Sequence, residues 1–390
     1  MFMPLTEYPW ALLTFVLLTS FVITSAVIPA VIRVSRVKHL LDEPNSRSSH
    51  WYETPSLGGV AIFAAILIVF TIATHWISDS DLSFFQILPA IVILFFVGIK
   101  DDILVIDPAK KLAAQIAAGV IFIGLTDIRI GNFYGMLGVH ELPYLVSFGL
   151  TLFIFVVVTN AYNLIDGIDG LAGCLGLIAA VAYGIYFAVV GVLWGTILCT
   201  TLVGSLVGFL RFNFSKQQKI FMGDSGSLVV GFILAVLSVK FIQLNESHNI
   251  WHIGNAPTLA IAVLAIPLFD TLRVFSHRLL RKVSPFTPDR NHVHHLIVDN
   301  GHNHAQATVY LSIVGVVIIA ASLFFTQSSV ALSLSIVILI FTVYALAVQR
   351  RYLVRRSKLS VPKRTVVIKE KVEAPREAPL RPQTAPSYQH

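Results

Sequence analysis

The chain has 390 residues, of which 56% are hydrophobic and only 13% are charged, and its net charge is +7. The apolar residues form blocks of the length that crosses ~30 Å of hydrocarbon as a helix, which excludes an ordinary soluble domain and is too long for barrel strands. The basic residues form no aromatic-basic surface patch, so the positive charge indicates membrane topology and nucleic-acid binding is not expected.

Taken in chain order, the apolar blocks predict about eleven transmembrane helices. Backbone groups cannot stay unpaired in lipid, so these blocks are expected to form a helical bundle. The sequence therefore predicts an all-α polytopic membrane protein with one transmembrane catalytic domain over residues 1–350. The blocks lie near residues 10–32, 57–77, 84–100, 112–130, 144–160, 171–188, 190–210, 226–244, 256–275, 308–327 and 329–349.

The basic residues predict the orientation of the bundle. All Lys and Arg residues except Arg129 and Lys240 fall in alternate loops or in the tail that begins at Arg350. By the positive-inside rule these loops face the cytoplasm, which places the N-terminus in the periplasm and the C-terminus in the cytoplasm. Residues 351–390 are basic and Pro-rich without an apolar period, so we expect a disordered cytoplasmic tail.

Five polar loops interrupt the apolar blocks, and two blocks separate each loop from the next. An even number of crossings puts all five loops on one face, and their basic residues make that face cytoplasmic. The loops read "LDEPNSRSSH" (41–50), "KDD" (100–102), "NAYNLIDGIDG" (160–170), "FMGDSGS" (221–227) and "PDRNHVHH" (288–295).

The aspartates of three of these loops suggest a cation site. A single acidic residue at a helix end needs no function, but several carboxylates on one face repel each other unless a cation is present. Oxygen ligands without soft ligands favour Mg²⁺ or Mn²⁺. If the helix continues past the lipid boundary, Asn163, Asp166 and Asp169 share a face; a glycine-rich turn is the alternative. The acidic residues concerned are Asp101, Asp102, Asp166, Asp169 and Asp224.

The "KDD" aspartates are not expected to act as an equivalent pair, because consecutive helical residues point about 100° apart. One of them can face the reacting centre while the other binds a cation, a backbone amide or Lys100. Asp224 begins a helix in "FMGDSGS", where it is either an N-cap or a metal ligand.

The last loop brings together Arg290, His292, His294 and His295. Arg and several hydrogen-bond donors suit a diphosphate, whereas the spacing and the absence of cysteine disfavour a transition-metal site. A solvated basic loop is the remaining alternative. In the first loop, Arg47 and His50 could hold an anion, although this loop alone is weakly informative.

The motifs "DEPNSRSSH", "GIKDD", "NAYNLIDGIDGLAG", "FMGDSGS" and "PDRNHVHH" occur in an order that resembles the polyprenyl-phosphate N-acetylhexosamine-1-phosphate transferases over residues 9–349. The resemblance implies transfer of GlcNAc-1-phosphate from UDP-GlcNAc to undecaprenyl phosphate, with release of UMP, as the first lipid-linked step of a surface polysaccharide such as O antigen or enterobacterial common antigen. It also implies Mg²⁺ or Mn²⁺ as cofactor and a multi-pass protein of the bacterial inner membrane.

The resemblance assigns roles by motif. Asp101, Asp102 and Asp224 correspond to the catalytic and metal-binding aspartates. The substrate-binding residues that it implies are Asn163, Asp166, Asp169, Arg47, His50, Arg290, His292, His294 and His295. The "HVHH" form favours UDP-GlcNAc over a muramyl-pentapeptide donor.

Two alternatives stay open at this point. The first is the same reaction with another UDP-N-acetylhexosamine, since epimers differ by few hydrogen bonds. The second is a transporter of lipid-linked sugars, although carboxylates at helix ends rather than at the midplane argue against transport. The oligomeric state and the choice between a one-step and a covalent route are also left open.

Overall fold

The computed structural model describes residues 9–42, 53–73, 85–246, 251–282, 291–326 and 328–360. Within these ranges the chain is mostly helical, with one short pair of strands and 3-10 turns at residues 85–87 and Met136–Gly138. The helices are α1 (Pro9–Val37), α2 (Gly58–Ala73), α3 (Leu88–Leu104), α4 (Pro108–Thr126), α5 (Tyr144–Ile165), α6 (Leu171–Val190), α7 (Leu193–Asn213), α8 (Gly223–Glu246), α9 (Ala256–Val263), α10 (Ala265–Leu280), α11 (Val293–Asp299), α12 (His304–Phe324) and α13 (Val330–Ser360).

The all-α polytopic architecture is confirmed. Eight of the described helices are long and apolar enough to cross a membrane, and α9 with α10 makes a ninth if the bent pair counts as one span. Helix α2 is apolar but has 16 residues, and α3 has 17 residues that include the charged end of the "KDD" loop. Each predicted block thus contains helix. The count of eleven crossings and the orientation of the termini stay predictions.

The predicted span over 256–275 is not one straight helix. It is broken at Leu264 into α9 and α10, whose axes differ by 80°. Pro267 lies in the first turn of α10 and has no N–H for a helical bond to the carbonyl of Val263, which ends α9. A proline at this place breaks a helix. Helix α10, which carries Asp270, therefore runs in a different direction from α9.

Helix α8 forms the centre of the bundle. The most apolar stretch of α8 is 83% buried, compared with 28% for the corresponding stretches of the peripheral helices α1 and α13. Helices α2, α3 and α5 pack against it. Side chains on the periphery are apolar and exposed, such as Leu145 (82%) and Phe324 (83%), as expected where a helix faces lipid.

Two glycines allow α2 and α3 to approach the first turn of α8. A Cβ on Gly59 would lie 2.0 Å from the backbone nitrogen of Gly226, and one on Gly98 would lie 2.5 Å from the Cα of Ser225. Only a residue without a side chain fits such backbone contacts. These contacts bring the "KDD" end of α3 beside Asp224.

The first polar loop is joined to the "FMGDSGS" segment by backbone hydrogen bonds. The two-residue strands β1 (Leu41–Asp42) and β2 (Thr54–Pro55) pair antiparallel. The N–H of Phe221 donates to the carbonyl of Pro55 at 2.8 Å, and the N–H of Gly58 donates to the carbonyl of Phe221 at 2.9 Å. Two loops that are distant in sequence therefore meet next to the start of α8.

Candidate active site

The carboxylate of Asp102 anchors the N-terminus of α8. Its Oδ1 accepts a hydrogen bond from the N–H of Asp224 at 2.7 Å, and its Oδ2 accepts one from the N–H of Ser225 at 3.1 Å. Unpaired N–H groups at a helix start favour such an acceptor. Of the alternatives that the sequence left for the "KDD" pair, the structure shows the backbone-amide contact for Asp102.

Gly223 makes this anchoring geometrically feasible. Its φ is +72°, and a Cβ there would lie 1.9 Å from the carbonyl oxygen of Ser56 and 2.7 Å from Oδ2 of Asp102. A side chain at this position would be strained and would displace the carboxylate. The glycine before Asp224 is thus required by the site itself.

Lys111 is the residue around which the site is built, and sequence reasoning missed it. Its Nζ lies 3.0 Å from Oδ2 of Asp101 and also donates to Oδ2 of Asp224. Only 15% of the side chain is exposed, so this ammonium is largely withdrawn from water. Lys111 was counted among the basic residues that set topology. The signal in the sequence was Gln115, a polar residue one turn later within the apolar block. The structure shows that this face of α4 is turned inward, since Gln115 pairs with Asn160 of α5.

Asn163 joins the end of α5 to the start of α8. Its Nδ2 donates to Oδ1 of Asp224 at 2.6 Å and to Oγ of Ser227 at 2.8 Å, and its Oδ1 lies 3.2 Å from Nζ of Lys111. Asp101 completes the group, since its Oδ2 accepts from Nζ of Lys111. Its Oδ1 accepts from the N–H of Ile106 at 2.6 Å. The structure therefore brings together Asp101, Asn163 and Asp224 around one ammonium.

The expected shared face of Asn163, Asp166 and Asp169 is wrong, because α5 ends at Ile165 and the turn alternative holds. Asp166 is half-buried just after the helix. Burial, together with the charges of Asp224 and other nearby carboxylates, raises its pKa to about 8. The acidic groups of this face are close enough to disfavour each other's ionisation, as expected of a cation site.

Asp169 points to a different group of residues. Its Oδ2 lies 2.7 Å from Nζ of Lys219 and 2.9 Å from Nδ1 of His304, and its carbonyl accepts from Thr308 at 2.8 Å. Burial by itself raises the pKa of Asp169, but these hydrogen bonds and charges outweigh it and lower the pKa below its usual value. Asp169 thus ties the "NLIDGIDG" segment to the start of α12.

The histidine motif forms α11 and the residue before it. His292 and His294 are buried, and both approach the buried carboxylate of Asp270 on α10. The ring of His295 is half-buried, with its centroid 4.2 Å from that of His294. A Cβ on Gly167 would lie 2.5 Å from Nε2 of His294, so the histidine helix packs directly on the "NLIDGIDG" segment. Asp270 was not found from the sequence, because nothing in "PLFDTLRV" indicates contact with a loop that follows 20 residues later.

Three predicted site residues lie outside the described residues: Arg47, His50 and Arg290. Their place relative to the site stays a prediction.

Two groups have the chemistry of cation ligands. The oxygens of Asp101, Asp224 and Asn163 converge on one point, now held by the ammonium of Lys111, and such hard donors fit Mg²⁺ or Mn²⁺. A second group, Asp270, His292 and His294, offers one ligand atom each within 4.8 Å of one another. Its mixed nitrogen and oxygen donors are of the kind that transition metals accept.

A lipid-facing helical bundle with buried carboxylates, an amide and an ammonium gathered at one end defines an integral membrane enzyme. Comparison with known proteins gives its family. The model of glycosyl transferase family 4 matches residues 84–242. The undecaprenyl-phosphate alpha-N-acetylglucosaminyl 1-phosphate transferase of Salmonella typhi is 30% identical over 77% of this chain and 81% of the relative.

Two further relatives extend the match. The protein of the same name from Escherichia coli K12 is 28% identical over 87% of this chain and 92% of its own length. A probable undecaprenyl-phosphate N-acetylglucosaminyl 1-phosphate transferase of Bacillus subtilis is 28% identical over 83% and 87%. The chain belongs to glycosyl transferase family 4, and it is a phosphotransferase.

Proposed function

We propose that the protein transfers GlcNAc-1-phosphate from UDP-GlcNAc to undecaprenyl phosphate at the cytoplasmic face of the inner membrane. The observation that carries this proposal is the convergence of Asp101, Asn163 and Asp224 on Lys111 at one end of a lipid-facing bundle. Acidic oxygens, an amide and a cation at that place suit a reaction between a soluble diphosphate and a phosphate on a lipid. The names of the relatives support the same pair of substrates.

The reaction balances without a redox partner or a separate base. An oxygen of the lipid phosphate forms a bond to the sugar-bearing phosphorus, the bond from that phosphorus to the UMP oxygen breaks, and UMP leaves with the electron pair. A phosphomonoester loses its second proton near pH 6, so the acceptor is already mostly a dianion at neutral pH. The site then has to position two anions and neutralise their charge, as in other phosphoryl transfers.

The chain's own residues divide this work. Asp101, Asp224 and Asn163 would hold Mg²⁺ or Mn²⁺, which supplies neutralisation of the diphosphate charge. Lys111 is held by the same oxygens and is the cation best placed to pair with a phosphate oxygen once substrates bind. Asp102 keeps the first turn of α8 in place, so that Asp224 stays aligned with Asn163.

A direct displacement fits the structure better than a covalent route through Asp101. Both carboxylate oxygens of Asp101 are engaged, one by the N–H of Ile106 and the other by Lys111. These partners hold the carboxylate of Asp101 among the cation ligands, and we therefore favour direct attack by the lipid phosphate. Isolation of a phospho-sugar adduct on Asp101 would contradict the direct route.

We assign the UDP-GlcNAc donor to the side of the carboxylates where the histidines of the last polar loop lie. His292, His294 and His295 lie on a helix that packs on Gly167, next to Asp166. Imidazoles there can donate hydrogen bonds to the diphosphate, and we expect Arg290, Arg47 and His50 to add positive charge. Asp166 and Asp169 belong to the segment that would bind the uridine.

The test is a transfer assay with the purified protein, Mg²⁺, undecaprenyl phosphate and UDP-GlcNAc labelled in the sugar. We expect label to enter the organic phase with equimolar release of UMP, and we expect EDTA to stop the reaction until Mg²⁺ is restored. Asp224→Asn should abolish transfer. Asp127→Asn is the matched control, because the side chain of Asp127 is 64% exposed and its carboxylate pairs with the neighbouring Arg129.

The outcomes separate the parts of the proposal. Turnover with another UDP-N-acetylhexosamine but not with UDP-GlcNAc would keep the reaction and overturn the donor. Full activity of Asp224→Asn would overturn the assignment of the site.

A further inference from the structure

Asp270 is a buried carboxylate that the reaction as described does not use. It lies on α10, is 1% exposed, and is separated from the histidine helix α11 by a segment outside the described residues. Its Oδ1 accepts from the N–H of Val293 at 2.9 Å and from Arg273 at 3.2 Å. Burying a charged carboxylate so completely costs free energy unless its hydrogen-bond and ion-pair partners are held in place. Asp270 thus connects the start of α11 to α10.

The second oxygen of Asp270 faces the imidazoles. Oδ2 lies 3.1 Å from Nδ1 of His292 and 3.7 Å from Nδ1 of His294. A carboxylate at Nδ1 keeps a proton on that nitrogen and fixes the ring orientation, so Nε2 is the nitrogen left for another partner. The two rings are nearly parallel, with centroids 5.4 Å apart. The carboxylate thus fixes the ring of His292 through a hydrogen bond, and the stacked ring of His294 turns its Nδ1 toward the same oxygen at a longer, ion-pair distance.

His294 shows what this orientation serves. Both of its ring nitrogens are buried without a hydrogen-bond partner among the described residues. Its Nε2 lies against Gly167, on the segment assigned to the nucleotide. A buried polar atom without a partner is uncommon and indicates a group that is satisfied by something else.

We propose that Asp270 is a positioning residue of the phosphotransfer site, which acts through His292 and His294 by presenting their Nε2 atoms to the phosphates of the donor. This inference rests on the proposed function and deepens it. Arg273 supports the same arrangement, because it binds Asp270 and also donates to the carbonyl of Asn291, just before His292. The carboxylate, the arginine and the first residues of α11 thus form one unit.

A bound transition metal is the competing explanation for the same three residues, since their ligand atoms are close enough to share an ion. The guanidinium of Arg273 beside Asp270 argues against a second cation there. Metal content of the purified protein decides between the two. One equivalent of zinc, lost in Asp270→Asn, would overturn the positioning role.

The main test is a double-mutant cycle on the full chain, with donor kcat/KM as readout. Asp270→Asn keeps the size of the side chain and an acceptor for Val293 but can place an N–H donor against His292. We expect it to lower kcat/KM by about 10- to 100-fold, the range for groups that orient an active histidine. In a His292→Ala, His294→Ala background the same change should lower it by less than threefold. If Asp270→Asn lowers kcat/KM by the same factor in both backgrounds, the proposal is overturned, because Asp270 would then act independently of the histidines.

Two further measurements keep the test decisive. Asp299→Asn, at the exposed end of α11, is the matched control and should leave kcat/KM unchanged. If Asp270→Asn does not fold, Asp270→Glu retains the charge and moves it; a folded Asp270→Glu with wild-type kcat/KM would overturn the proposal.

Stabilisation by UDP-GlcNAc in a thermal-shift assay is measured alongside. Absence of transfer by the wild-type protein, with donor stabilisation still lost in Asp270→Asn, would reject the proposed function and keep the positioning role.

Discussion

Nζ of Lys111 lies 3.0 Å from Oδ2 of Asp101, and the same ammonium reaches Asp224 on α8. One cation thus holds together the end of α3 and the start of α8, whose acidic residues Asp102 and Asp224 are 122 positions apart in sequence. Carboxylates this close repel each other in the absence of a positive charge. The proposed divalent metal would compete with Lys111 for these oxygens.

Replacing Lys111 should remove transfer while leaving the fold intact. We expect Lys111→Met to lower kcat by about 100-fold or more, because a fixed cation at developing phosphate charge is lost. Lys110→Met is the matched control: Lys110 is exposed at the preceding position of α4, and the variant should retain full activity. The measurement is the labelled transfer assay. More than a third of wild-type activity in Lys111→Met would contradict the central role of this residue.

The close approach of α2 to α8 should make Gly59 intolerant of a side chain. Gly59→Ala would put a Cβ 2.0 Å from the backbone of Gly226, and overpacking of this kind costs about 1–3 kcal/mol or more. We expect a lower melting temperature in detergent and weaker transfer. Gly149→Ala on α5 is the control, because its Cβ would meet nothing within 4 Å. Equal melting temperatures for the two variants would contradict this packing.

The ion pairs of Asp169 should stabilise the protein in a pH-dependent way. The pKa of Asp169 is lower in the folded protein than its usual value of 3.8. A lowered carboxyl pKa stabilises the fold above the usual pKa, and this contribution is lost as pH falls through the folded value. Asp169→Asn should therefore lower the melting temperature at pH 7, and the difference from wild type should shrink below pH ~4.

Scanning fluorimetry of both proteins from pH 7 down to the acid range checks this expectation. Asp127→Asn, an exposed acidic position, provides the reference for general effects of acid. A difference that grows as the pH falls would contradict the assignment of Asp169.

The cytoplasmic placement of the site can be tested with sealed vesicles, because UDP-sugars do not cross a bilayer. We expect inside-out vesicles to incorporate label from external UDP-GlcNAc, and right-side-out vesicles to do so only after permeabilisation. The positive-inside rule is the physical basis for this expectation. Equal incorporation by intact right-side-out vesicles would reverse the predicted orientation.

The sequence by itself determined the helical membrane architecture and the loops that carry the site. Apolar blocks of span length leave a backbone in lipid no alternative to the helix, and the parity of the crossings groups the polar loops whatever their orientation. These properties depend on composition and on neighbours along the chain, so they can be seen without coordinates. The same local information favoured an acidic, oxygen-rich site for a hard cation.

Only the tertiary structure decided which residues meet. From the sequence, Lys111 was one of the basic residues that predict topology, and Asp169 was expected to share a helix face with Asn163. Asp270 was not found from the sequence. Asp102 contacts the N–H of Asp224 across 122 residues, and His304 contacts Asp169 across 135. Such contacts depend on where glycines allow two helices to approach and where Pro267 breaks a third helix. A sequence pattern does not contain the distances between helices, so it does not show which residues meet.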